Sequence, residues 1–186
     1  SIGSIVYDRV ASSKMLQYKV ALDCGLSIPA TVFSNRKNAF ELLGGLYQDL
    51  CVKGIGGHGV WDAGNMADYV FYSSKIDSGE MAAIPEEAFS QTVSFVQEYV
   101  SKSFELRVTI VGEDVFTARI DNQELEEDKG KVDWRQGYDS GLRLSEFLLP
   151  ETIKDKCLTL VHALGLNFGC IDLIVRPDAQ YIFLES

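Results

Sequence analysis

Residues Phe104 to Val111 alternate without a break, with Leu106, Val108 and Ile110 on one side and Glu105, Arg107 and Thr109 on the other. Successive side chains of a strand point to opposite faces, so this pattern demands a strand with one buried face. Gly112-Glu113-Asp114 supplies a turn and Val115 to Asp121 runs back, which makes the pair an antiparallel hairpin. A second hairpin ends the chain, with Ile171 to Arg176 and Tyr181 to Glu185 flanking the turn Pro177-Asp178-Ala179-Gln180. Helical signals lie between these strands, so the expected class is α+β with antiparallel sheets.

Ser12-Ser13 offers N-caps before Leu16, Val20 and Ala21, and Gly25 is a stop. Ile28 to Val32 reads as a short strand, and Asn35 caps a second helix running to about Leu46. A β-like run covers Tyr69 to Tyr72, Pro85 opens a helix, and Val93 to Val100 is a strand. Residues 122–146 are polar and acidic and read as a loop containing Asp133-Trp134-Arg135. Pro150 opens a helix that Gly165 closes.

Lys+Arg 17 against Asp+Glu 27 leaves a net charge of −10, which argues against a partner bound through a nucleic-acid backbone. A small phosphorylated ligand remains open, because two or three local cations suffice. No apolar run approaches the roughly 18 residues of a membrane span, and the first ten residues lack signal-peptide regions. Cys24, Cys51, Cys157 and Cys170 are scattered among apolar neighbours and read as reduced core residues of a cytoplasmic protein. Zinc is not expected, since His58 and His162 are near no cysteine pair. The chain opens on Ser1 and stops at Ser186 just after a strand pattern, so a fragment of a longer protein is expected.

Asp49 to Lys53 is a short apolar strand that delivers a lysine to the run Gly54-Ile55-Gly56-Gly57-His58-Gly59. Glycines admit close backbone approach to phosphates, and successive N–H groups cradle anions. A P-loop places its lysine after the glycines, before Ser or Thr, and this chain does neither. The pattern points to a different kind of nucleotide site, with a plain surface loop as the alternative.

The last hairpin brings two carboxylates together. If Arg176 faces Tyr181 across a four-residue loop, Asp172 lies directly opposite Glu185. Opposed residues have Cβ atoms roughly 4.5–5.5 Å apart, so two like charges there destabilise the hairpin. A divalent cation between them removes the penalty, and Mg²⁺ is typically held by one or two carboxylates plus phosphates. The alternatives are a register shifted by one residue or a pair facing open water.

In this order the motifs resemble the ATP-grasp ligases, which join a carboxylate to a nucleophile through an acyl phosphate. The resemblance covers nearly the whole chain. It runs from Ser13-Lys14 through Gly25-Leu26-Ser27-Ile28-Pro29-Ala30-Thr31, then Lys53 to Gly59, then Gln97-Glu98-Tyr99-Val100 with Glu105-Leu106-Arg107-Val108. It ends on Gly169 to Asp172 and Phe183-Leu184-Glu185. The stretches at residues 12–31, 97–121 and 164–186, and Asp133-Trp134-Arg135, are similar to the microviridin- or graspetide-type maturases of ribosomally made peptides.

The resemblance implies an α+β ATP-grasp fold of two lobes, 1–96 with the glycine-rich loop and 97–186 with the metal-binding hairpin. It implies ATP enclosed between them, with a hinge near Gln97 to Val100. Lys14 and Lys53 would bind ATP phosphates, with Gly56, Gly57 and Gly59 in the loop closing over them. Gln97, Glu98 and Val100 would form the adenine hinge, backbone groups of Glu98 and Val100 reading the base, and Glu105 would accept from the ribose hydroxyls. Arg135 and Arg107 would stabilise the acyl phosphate, and Asp172 and Glu185 would hold Mg²⁺.

By spacing alone, Lys14 is equally a solvated first-turn residue, Glu105 and Arg107 equally a wet strand face, and Arg135 equally a counter-charge to Asp133. The family pattern continues to an asparagine two residues past its final glutamate and includes a domain before its first lysine; this chain has neither. The implied partner is a peptide or amino-acid substrate, with no nucleic acid and no membrane, and with a homodimer left open. Rival functions are a glutamate- or amino-acid-adding ligase of this fold and a non-catalytic nucleotide-binding module.

Overall fold

A computed structural model describes residues 10–55, 59–62, 67–70, 72–125 and 128–186. In chain order the elements begin with α1 (Lys14–Asp23), β1 (Thr31–Ser34), α2 (Lys37–Gly44), β2 (Asp49–Lys53), β3 (Gly59–Asp62) and β4 (Ala67–Val70). Next come β5 (Ser74–Asp77), α3 (Ser78–Ala83), α4 (Glu86–Ser90), β6 (Ser94–Glu98), β7 (Phe104–Val111) and β8 (Asp114–Asp121). The chain finishes with α5 (Asp128–Val132), a 3-10 helix (Trp134–Ser140), β9 (Arg143–Glu146), α6 (Glu151–Ala163), β10 (Phe168–Val175) and β11 (Tyr181–Glu185).

Two compact units result, Ala30–Tyr99 and a second one made from Ser1–Pro29 with Val100–Ser186. Residues 10–29 therefore pack with the C-terminal half, where a single cut at residue 97 would assign them to the other lobe. The reason lies on one face of α1. Gln17 Nε2 donates to the Ser186 carbonyl at 2.7 Å, Gln17 Oε1 accepts from Ser186 N–H at 3.0 Å, and the Tyr18 hydroxyl donates to the Leu184 carbonyl at 2.6 Å. Lys14, Gln17, Tyr18 and Ala21 share that face by helical spacing. Ser27 covers the outer edge of β11, accepting from Phe183 N–H at 2.8 Å.

The unit Ala30–Tyr99 holds a four-stranded antiparallel sheet in the order β1-β6-β2-β5 and the separate hairpin β3-β4. Phe40 and Leu43 of α2 fill its core against Leu50, Met81, Phe89 and Val96. Helix α3 was not expected from sequence. Its start is fixed by a capping box, with Asp77 accepting from Gly79 N–H and Glu80 accepting from Asp77 N–H.

The other unit is built on a five-stranded antiparallel sheet in the order β11-β10-β7-β8-β9. The alternating face of β7 is fully buried at Leu106, Val108 and Ile110, together with Ile171, Leu173 and Phe183. Helix α6 packs against β7 and β10, and Val161 lies close enough to Gly169 that a Cβ there would stand 3.2 Å from it. Residues 122–146, expected to be a loop, instead form α5, the 3-10 helix and the edge strand β9. Part of this segment covers the polar face of the sheet.

The terminal hairpin corrects the expected loop. Val175, not Arg176, faces Tyr181, and Arg176 and Gln180 close a three-residue turn with Ala179 at φ 62. Three-residue hairpin loops place their last residue in the left-handed region, where a Cβ is strained. Ala179→Gly is therefore expected to stabilise the protein by about 0.5–1 kcal/mol, read as a higher urea midpoint at unchanged slope. A β-bulge then resets the pairing, because Leu173 faces Phe183 while Asp172 faces Glu185, leaving Leu184 as the extra residue. The expected apposition of the two carboxylates is met, and the bulge produces it.

Candidate functional site

Asp172 lies between two partners across the sheet, Arg107 on β7 and Glu185 on β11. Arg107 Nη1 donates to both carboxylate oxygens of Asp172, at 2.8 and 3.0 Å. Glu185 takes Lys14 Nζ on Oε2 at 2.7 Å and Arg135 Nη2 on Oε1 at 3.3 Å. Arg135 is itself gripped by Asp133, with Nε donating to Oδ1 at 2.8 Å and Nη2 to Oδ2 at 3.1 Å. Three cations and three carboxylates thus interleave at the head of α1, the bulged hairpin and the Asp133 corner. Of the expected residues, Lys14, Arg107, Arg135, Asp172 and Glu185 are brought together here.

This arrangement changes the argument made from the hairpin. The repulsion between Asp172 and Glu185 is relieved from within, because each carboxylate has its own cation. The opposed pair is therefore no evidence for a metal by itself.

Asp172 is 3% exposed, and burial pushes its carboxyl up to about 6 although Arg107 pulls it down; Glu185 adds to the rise. For Arg107, burial works against the charge, and Asp172 outweighs that and raises its pKa. For Arg135, burial is likewise outweighed, by Asp133 first and then by Glu185 and Asp172, so it is held firmly charged. A buried carboxylate that ionises reluctantly, facing a second one, has much to gain from an added cation.

Its oxygen donors suit Mg²⁺, a hard ion that accepts one or two carboxylates and completes its shell with water and phosphate. Among the described residues no group of three or more His, Cys, Asp or Glu side chains could hold a metal. Asp172 and Glu185 fit a shared Mg²⁺ that brings ligands of its own, and they do not fit a closed structural metal site.

The remaining expected residues belong to other elements. Lys53 ends β2, half-buried and paired with Phe95 of β6, and Gly59 opens β3 opposite Val70. Gly56, Gly57 and His58 lie outside the described residues. Gln97 is 1% exposed and donates to Thr31 Oγ1 at 2.9 Å. Glu98 clasps Ala30, its N–H donating to the Ala30 carbonyl at 2.9 Å and its Oε1 accepting from Ala30 N–H at 3.1 Å. Val100 is buried against Ile174, Ile182 and Leu184.

Glu105 is not on a wet face. It is 3% exposed, and its Oε1 accepts from Lys102 Nζ at 2.6 Å and Asn122 Nδ2 at 2.7 Å. Sequence reasoning passed over Lys102, Asn122 and Gln17. Lys102 stands three residues before Glu105, a local signal, whereas the other two act through partners that only the fold supplies.

No protein-family model matches the sequence, and no curated protein matches it. Solved structures do. An ATP-grasp ligase from Chryseobacterium gregarium, described as RiPP-associated and bound to ADP with a leader and core peptide, is 28% identical with a TM-score of 0.87, over 100% of this chain and 54% of its own. The macrocyclase MdnC from Microcystis aeruginosa MRC, bound with precursor peptide MdnA, is 32% identical with a TM-score of 0.81, over 99% of this chain and 56% of its own. D-alanine–D-alanine ligase from Bacillus anthracis shares the fold at 19% identity and a TM-score of 0.68, over 98% of this chain and 58% of its own. The chain spans a little over half the length of each of these proteins. It has the ATP-grasp fold, and in structure it is similar to this RiPP-associated ligase and to this macrocyclase.

Proposed function

We propose that this chain belongs to an ATP-dependent ligase that activates a carboxylate by phosphorylation and passes the acyl group to an amine or hydroxyl of a ribosomally made peptide. The observation that carries this reading is the cluster of Asp172 and Glu185 with Lys14, Arg107 and Arg135, set in an ATP-grasp fold. Bound Mg²⁺·ATP supplies the phosphoryl group and the charge neutralisation that lets it leave.

The chain's own residues prepare for that ligand. Asp172 and Glu185 offer the oxygens for the ion. With those carboxylates holding the ion, their partners Lys14 and Arg107 would be available to phosphate oxygens, Lys14 to those of ATP and Arg107 to those of the acyl phosphate. Arg135, anchored by Asp133, would offer its fork to the charge that develops on the acyl phosphate. Lys53 and the glycine loop from Gly56 to Gly59 are proposed as further phosphate contacts, and the backbone of Glu98 and Val100 as the adenine contacts, with Gln97 ordering the strand behind them. Glu105 would accept from a ribose only beside its present bonds, since it is buried and its Oε1 accepts from Lys102 and Asn122.

A peptide substrate is supported by a groove of about 830 Å³ whose lining includes Arg107, Phe116, Leu144, Glu146, Leu148 and Lys154. Phe116, Leu144 and Leu148 are 61%, 56% and 94% exposed, and with the charged residues they form a mixed lining suited to an extended chain. Cys24, Cys51, Cys157 and Cys170 are scattered along the sequence with no C-x-x-C pair, the usage of a reducing compartment such as the cytoplasm.

Incubation with Mg²⁺·ATP and acidic peptides that also carry Lys, Ser or Thr, read by mass spectrometry, tests the proposal. Loss of one water from the peptide per ADP released is the expected result. A peptide that gains an added residue indicates the amino-acid-adding alternative. ATP that binds and leaves every peptide unchanged contradicts ligation.

A further inference from the structure

Lys102, Glu105 and Asn122 form a buried polar network, 8%, 3% and 0% exposed, that takes no part in the chemistry above. We propose that Asn122 is a positioning residue for Arg135: with Lys102 and Gln123 it fixes the end of α5, and so the corner from which Arg135 reaches Glu185. Only the catalytic consequence rests on the ligase reading.

The geometry is a helix-end clamp. The last carbonyls of a helix have no intrahelical donor and must find one elsewhere. In α5 these are the carbonyls of Gly130, Lys131 and Val132. Asn122 Nδ2 donates to Gly130 O at 3.1 Å and to Lys131 O at 3.3 Å, and Gln123 Nε2 donates to Lys131 O at 3.2 Å. Lys102 Nζ donates to Val132 O at 3.1 Å, and its positive charge suits a helix C-terminus. Glu105 binds both Lys102 and Asn122 through one oxygen, which aims the two donors at successive carbonyls.

The residue after Val132 is Asp133, which accepts from Arg135 N–H at 3.2 Å and holds its guanidinium through the pair described above. Beyond the corner, a second contact pins the 3-10 helix. A Cβ on Gly130 would lie 3.1 Å from Gly137 Cα, and one on Gly137 would lie 2.5 Å from Leu125 Cδ1. The corner carrying Arg135 is therefore fixed on both sides. A buried ionic network contributes little net stability against its desolvation, and its better-supported use is to fix one geometry.

Hydrogen exchange at arginine Nε–H, followed by NMR in the wild type and in Asn122→Ala, tests the clamp, with Arg119, whose Nε donates to Asp121 Oδ1 at 2.8 Å, as the internal control. The expected result is exchange at Arg135 faster by about tenfold or more, with the Arg119 signal and the rest of the spectrum in place. An unchanged Arg135 signal in the folded variant overturns the proposal, as does equal loss at Arg119. Should Asn122→Ala not fold, Gln123→Ala decides. A smaller loss confined to Arg135 upholds the clamp, and no change overturns it. Adding Mg²⁺·ATP separates the two readings, because an Arg135 signal that ignores it counts against the ligase mechanism while the clamp is judged on the free protein.

Discussion

Asp172→Asn should make the ligand-free protein more stable while removing Mg²⁺-dependent ATP binding. The wild-type carboxyl titrates at about 6 in the fold against an ordinary value of 3.8, so ionising it opposes folding. At about 1.4 kcal/mol per pH unit, that difference is worth about 3 kcal/mol at neutral pH. The sign follows from proton uptake. Between pH 3.8 and about 6 the folded state binds the proton more tightly, so this contribution is complete below 3.8 and is lost as the pH rises through about 6.

Asparagine has no such titration, and the value of about 6 already includes the attraction of Arg107. A net gain of about 1–2 kcal/mol at pH 7 is expected, shrinking as the pH falls toward 4, in urea unfolding of the two proteins side by side. Binding should move the other way, with Mg²⁺·ATP affinity reduced about tenfold or more. A variant both less stable and unimpaired in binding would make Asp172 a structural partner of Arg107 and nothing else.

Arg135→Lys should lower peptide-dependent ADP release by about 10²–10³-fold while leaving ATP affinity within about threefold. Lysine keeps the charge and loses the planar fork that spans Asp133 and Glu185. Lysine is preferred to alanine because Asp133 is buried, and stripping it of its partner would cost about 3 kcal/mol or more in stability. An equal loss of binding and turnover would place Arg135 in ground-state phosphate binding.

Strand β7, with its Leu106, Val108 and Ile110 face, was legible because period-two patterning is local, and so were β2 and β11. Helix α1 was legible through Gly25, which sits at φ 76, while Ser13, at the expected N-cap position, makes no side-chain cap hydrogen bond. The apposition of Asp172 and Glu185 was also legible, though through a register that the bulge at Leu184 modifies. Such a bulge depends on what packs on both sides of the strand, and no local pattern records it. Residues 122–146 looked like a loop because their helices are short and α5 owes its end to side chains outside it, Asn122 just before it and Lys102 on the far side of the β7–β8 hairpin. The burial of Glu105 was hidden for the same reason, since the cover over that strand face is tertiary. The cations that neutralise the carboxylate pair come from α1, β7 and the Asp133 corner, a convergence that only the fold creates.

Calorimetric titration of the wild-type chain with ATP, with and without Mg²⁺, bears most directly on the central claim. Saturable binding of one ATP that requires Mg²⁺ and disappears in Asp172→Asn is the predicted result. ATP binding that is indifferent both to Mg²⁺ and to Asp172, or no binding by the wild type, would contradict the assignment of this carboxylate cluster as the Mg²⁺·ATP site.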